Sequence, residues 1–137
     1  PDDELWSAYF HHAAHLARRR ACGFLQDWVA YEVSLRNALA VARARALQLE
    51  PTDYLVAPDL AQSETDFLPI INQWAEAPTP LAAQRLLDQA RWDWLMEHDH
   101  WFSFADDELA AYTAKLMLIR RWHRLRQDEA ESPPQGP

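Results

Sequence analysis

Two histidines one helical turn apart, His11 and His15, come closest to a chemical motif in this chain, because an i,i+4 pair on one helical face can chelate a metal. His12 is adjacent, yet no third ligand or HExxH-type acid accompanies the pair, which falls opposite an apolar stripe of Leu5, Tyr9 and Leu16 and is expected to face solvent. His98-Asp99-His100 stands at a predicted helix end and reads as a polar connector. Cys22 follows Arg18-Arg19-Arg20, whose charge would favour a thiolate, but no orienting base comes with it. Asp106, Asp107 and Glu108 sit where a helix N-terminus attracts negative charge rather than as acid/base partners. With only Gly23 and Gly136, no glycine-rich phosphate loop can form. The expectation is a protein with no catalytic residues, no metal and no cofactor, and not an enzyme.

Two groups of charges remain. In the run Phe24 to Leu49, Leu25, Trp28, Leu35, Leu39, Ala42 and Ala46 share one side of a helix, but Glu32 and Arg43 point the same way and Arg36 lies at the border. A charge on an apolar stripe is tolerated only when paired. Glu32 and Arg36 can pair at i,i+4, and Asp93, beside Arg91 on a later helix, is expected to reach Arg36 or Arg43. Glu32, Arg36, Asn37, Arg43, Arg91 and Asp93 thus form either an internal network or a partner contact, the internal form being favoured because unpaired buried charges are costly before a partner arrives. The second group, Arg120, Arg121, Trp122, Arg124 and Arg126, is a basic patch that an acidic protein could use, or a nucleic acid with Trp122 stacking on a base. Arginines at a helix C-terminus also stabilise its dipole, and the acidic total weighs against nucleic acid.

These residues need helices to hold them. Asp2 or Asp3 can cap a first helix running to about Arg20, with Leu5, Tyr9, Ala13 and Leu16 inward and Trp6 and Phe10 beside them. Gly23 offers a break before the second helix, which is expected to end near Glu50-Pro51. Thr52 to Pro58 is a connector; residues 59 to 77 hold one or two short helices, Ser63 or Thr65 capping the second, although Pro69 requires a helix start close by. Pro78-Thr79-Pro80 precedes a helix over about 80 to 98 with Leu87, Ala90 and Trp94 on one face. The last helix begins after Ser103, which with Asp106 resembles a capping box, and its middle, Leu116 to Ile119, is apolar nearly all round and is expected near the bundle centre.

At 137 residues and 49% hydrophobic, with seven tryptophans, the chain suffices for one all-α domain, a bundle of about five helices over residues 1–127 with a flexible, acidic, proline-rich tail at 128–137. One cysteine excludes an internal disulfide and suits a reducing cytosol. No apolar run approaches the roughly 20 residues of a membrane helix. The formal net charge of −8 opposes general attraction to nucleic acid or anionic lipid, although all the basic residues but Lys115 are arginines and several cluster.

Glu32-x-x-x-Arg36-Asn37-Ala38-Leu39-Ala40-x-x-Arg43-Ala44-Arg45-x-Leu47, then Leu49 and Pro51, resembles an uncharacterised bacterial family whose genes accompany V-type ATPase subunits. In the same order, Leu86-Leu87-Asp88-x-Ala90-Arg91-Trp92-Asp93-Trp94-Leu95, Phe102-x-Phe104 and Tyr112-x-x-Lys115-Leu116-x-x-Ile119-x-Arg121-Trp122 resemble it too. The first motif is also similar to helices of the C/d-type subunit of V/A-type ATPases, a helical socket between the rotating shaft and the membrane rotor ring. The resemblance implies a connector or assembly role with ATPase subunits as partners, in the cytoplasm or peripheral at the inner membrane. Gln48 stands where the family pattern has a glycine, so a different helix end is expected, and the chain is expected to be a fragment lacking an amino-terminal segment.

Overall fold

Every odd-numbered residue from Val29 to Leu39 is buried. Residues two apart on an α-helix are turned about 200° from each other, so this helix must be covered on two opposite sides. The computed structural model describes residues 2–98 and 105–131, and among them every regular element is helical: α1 (Asp2–Arg19), α2 (Gly23–Ala46), 3₁₀ turns at Pro51–Tyr54 and Pro58–Leu60, α3 (Leu68–Glu76), α4 (Pro80–His98) and α5 (Ala105–Glu131). The fold is all-α. α2 is its hub, in contact with α1, both 3₁₀ turns, α3 and α5.

One side of α2 sends Tyr31, Leu35 and Leu39 into a core shared with Leu87, Trp94 and Leu95 of α4 and Ala111 and Leu118 of α5. Trp94 is the aromatic centre of that core, its ring 5.2 Å from Tyr31, 5.3 Å from Trp28 and 5.8 Å from Phe24. The other side sends Val29 and Val33 against Phe10 and Ala14 of α1 and Val56 and Ala57 between the 3₁₀ turns. Asn37 closes this second core by gripping the connector backbone: its side-chain amide donates to the Val56 carbonyl and its carbonyl accepts from the Val56 N–H, both at 2.9 Å. The grip holds Ala57 in the left-handed region at φ 42°.

Helix ends follow local chemistry. α1 carries Asp2, Asp3 and Glu4 in its first turn and Arg18 and Arg19 in its last, as the dipole favours. It ends in a Schellman turn, with Ala21 at φ 49°, the Cys22 N–H donating to the Ala17 carbonyl at 2.9 Å and the Ala21 N–H to that of Arg18 at 3.2 Å. The expected break is therefore present, but Ala21 makes it and Gly23 merely opens α2. The same device stops α2 at Ala46, short of the expected Glu50: Gln48 has φ 58°, and Leu49 donates to the Ala44 carbonyl at 2.8 Å. Ahead of α3, neither Ser63 nor Thr65 caps; the Asp66 carboxylate accepts the Leu68 N–H at 3.0 Å and Pro69 occupies the first turn. The Thr79 hydroxyl caps α4 by accepting the Ala82 N–H at 3.0 Å.

Three expectations are corrected. The buried residues of α1 are Phe10, Ala14 and Ala17, whereas Leu5 and Tyr9 of the expected stripe are 69% and 56% exposed, because the inward face is rotated by about one residue. α5 is peripheral rather than central: Leu118 is buried but Met117 is 64% exposed, and α2 takes the middle, contributing residues to both cores. α5 also continues to Glu131, past the expected boundary at 127; residues 132–137 of the expected tail and the capping residue Ser103 lie outside the described residues.

Candidate functional site

The deepest polar feature joins α2, α4 and α5. Asp88, on the buried face of α4, is 1% exposed. Its Oδ1 accepts from Gln84 at 3.1 Å, from Arg91 Nη1 at 3.2 Å and from Arg121 Nη2 at 2.6 Å, while Oδ2 and the Arg121 Nε are buried with no hydrogen-bond partner among the described residues. Arg91 turns its Nε to Glu32 Oε1 at 2.7 Å, so two guanidiniums and two carboxylates alternate from one helix to the next. Burial acts to lower the Arg91 guanidinium, but Glu32, by charge and hydrogen bond, together with Asp88 holds it above its usual value. Burial likewise pushes the adjacent Tyr31 hydroxyl upward, helped by the Glu32 charge. Each member is aimed at another helix or the next turn of its own, which suits fixing helix register. Near the outer end of the same interface, Arg85 pairs with Glu129.

The other sequence candidates lie elsewhere. Arg36 does not bond to Glu32; its guanidinium lies 4.3 Å from the Trp6 ring centroid and ties α2 to α1 by a cation–π contact. Burial lowers the Arg36 guanidinium, opposed by the charges of Asp3 and Glu32. Arg43 lies 5.1 Å from the Trp74 ring centroid of α3. Asp93, expected to reach Arg36 or Arg43, is exposed and accepts from Gln89 at 2.8 Å, because it sits on the solvent flank of α4. Asn37 serves the connector rather than the charges. Of the basic patch, Arg121 turns inward to Asp88 and Trp122 is half-buried, its indole N–H buried without a hydrogen-bond partner among the described residues. Arg120, Arg124 and Arg126 are exposed.

His11 and His15 are both exposed. His11 Nδ1 donates to the Ser7 carbonyl at 2.8 Å and Nε2 meets Asp59 Oδ2 at 3.0 Å, linking α1 to the second 3₁₀ turn. These bonds, Asp59 foremost, favour the charged ring and raise its pKa. His98 stacks on Trp94 with centroids 3.8 Å apart and donates to the Trp94 carbonyl at 2.7 Å; Asp99 and His100 lie outside the described residues, as do Phe102 and Phe104. Among the described residues no three His, Cys, Asp or Glu side chains converge as metal ligands.

Sequence reasoning missed Asp88 as a site residue. The signal was present: Gln84, Asp88 and Arg91 stand at i, i+4 and i+7 on one face beside Leu87. Residues 1–132 match the family model described as "Protein of unknown function (DUF2764)". The chain belongs to this family. No match was found among curated proteins or among solved structures. In this DUF2764 member the polar network draws on three separate stretches, around residues 32, 88–91 and 121, all inside the matched region.

Proposed function

We propose that this DUF2764 chain is a non-catalytic helical subunit or assembly factor of a V-type ATPase, and within that class a connector similar to the C/d-type socket. The supporting observation is the ordered set of sequence stretches that carries the resemblance, whose members meet in space: Glu32 from the first, Asp88 and Arg91 from the second and Arg121 from the last build one network. The role is peripheral and membrane contact goes through partner proteins; no helix among the described residues is long and apolar enough to cross a membrane.

Affinity purification of the full protein from its native membranes in mild detergent tests this reading. V-type ATPase subunits should be recovered in ratios that persist across detergents. Recovery of none of them from a folded, well-expressed bait would overturn it.

A further inference from the structure

An open, mainly apolar groove of about 820 Å³ runs along α2 between α1 and α5. Leu25 and Trp28 form its floor, Trp6, Tyr9 and Leu16 one wall, Leu109 and Met117 the other. Wall residues recur at helical spacing, and both Leu109 and Met117 are 64% exposed, so the walls are apolar ridges left facing solvent. Their directions follow from side-chain contacts. Arg36 on Trp6 sets α1 antiparallel to α2; Trp94 beside Trp28 and Arg91 on Glu32 set α4 antiparallel to α2; Arg121 on Asp88 and Arg85 with Glu129 set α5 antiparallel to α4. Leu16, Arg20 and Leu109 therefore share one end of the groove, and Trp6 and Arg124 the other.

Charge distinguishes the two ends. Arg20 and Arg124 line opposite walls at opposite ends, both exposed and neither in an ion pair among the described residues. Among the described lining residues the one carboxylate is Glu32, already held by Arg91. The groove thus offers an apolar channel with an exposed arginine at each end that has no ion-pair partner among the described residues, on a protein otherwise acidic. From Trp6 to Leu16 the wall spans about 15 Å, roughly three helical turns.

We propose that the groove binds one amphipathic α-helix of a partner protein, its apolar stripe seated on Leu25 and Trp28 and a carboxylate near each end meeting Arg20 and Arg124. The proposal does not rest on the ATPase reading. A second copy of this chain fits less well, because two-fold docking of these grooves would set each copy's arginines against the other's. A small molecule fits less well because the polar groups at the floor, Glu32 and Arg91, already satisfy each other.

The test is site-specific photo-crosslinking of the full protein in its source cells, with benzoylphenylalanine in place of Met117 in one variant and of Tyr9 in another, and mass-spectrometric mapping of the joined peptides. Both positions should reach the same segment of another protein, with apolar residues at helical period and acidic residues near both ends. Arg124→Glu should lower the yield at Tyr9 about tenfold, and exchanging the partner's matching acid for arginine should restore it. Met117 and Arg124 are exposed, so circular dichroism should show both variants folded. Crosslinks to a second copy of this chain, to a basic or non-helical segment, or at neither position would overturn the proposal. A dimer in sedimentation that Met117→Glu dissociates would also overturn it.

Discussion

Gln48 holds a left-handed backbone conformation, φ 58°, at the position after the α2 C-cap where glycine is ordinarily used. A Cβ in that region costs roughly 1–2 kcal/mol, partly offset by the smaller chain entropy of a non-glycine residue in the unfolded state. Gln48→Gly should therefore stabilise the protein by about 1 kcal/mol, read as a rise in the chemical-denaturation midpoint at unchanged slope. The resemblance that singled out Gln48 led to an expected difference in the helix end; the geometry shows the glycine-type turn kept by a residue less suited to it. At His11 the prediction concerns pH. Its pKa is raised chiefly by Asp59, so the pair's contribution is full below the ordinary histidine value and fades as pH rises through the folded value. Both groups are well exposed, so the effect on stability is small. Nuclear magnetic resonance should find His11 titrating above the ordinary value, and Asp59→Asn should bring it down.

Helix register is the concern at the next scale. Asp88 receives donors from α4 and α5, and Arg91 extends the network to Glu32 of α2. Asp88→Ala leaves two guanidiniums facing each other across a largely buried interface and should cost about 3 kcal/mol, measured by equilibrium denaturation. Arg36→Ala should cost about 1 kcal/mol through the lost Trp6 contact, and a double-mutant cycle with Trp6→Leu should show coupling, whereas a cycle with Arg91→Ala should approach additivity. The all-α class and the span of α4 were legible because seven tryptophans, few glycines and the Thr79-Pro80 start are strong local signals. The place of α2 was not. Its odd-numbered residues from Val29 to Leu39 face two different cores, and a search for one apolar stripe detects only one of them. α5 misled in the opposite sense, since an apolar perimeter marks burial only if neighbours cover it, and Met117 and Tyr112 remain exposed. The need for a counter-charge to Glu32 could be argued from sequence, but its choice of Arg91 over Arg36 depends on how α4 crosses α2, which no local pattern encodes.

At the scale of the molecule, one helix with two covered flanks organises two cores, and the polar network is spent on joining helices. The exposed faces of α1 and α5 and the exposed Arg120, Arg124 and Arg126 lie outside that network. This division predicts that a charge reversal at exposed Arg124 leaves the unfolding free energy within about 0.5 kcal/mol of the parent, whereas Asp88→Ala does not. It also separates loss of assembly from loss of fold. The most direct measurement for the proposed role is quantitative mass spectrometry of proteins co-purifying with the full chain from native membranes, compared with an untagged control. V-type ATPase subunits should be enriched together with the bait, and their absence beside a correctly folded bait would contradict the account.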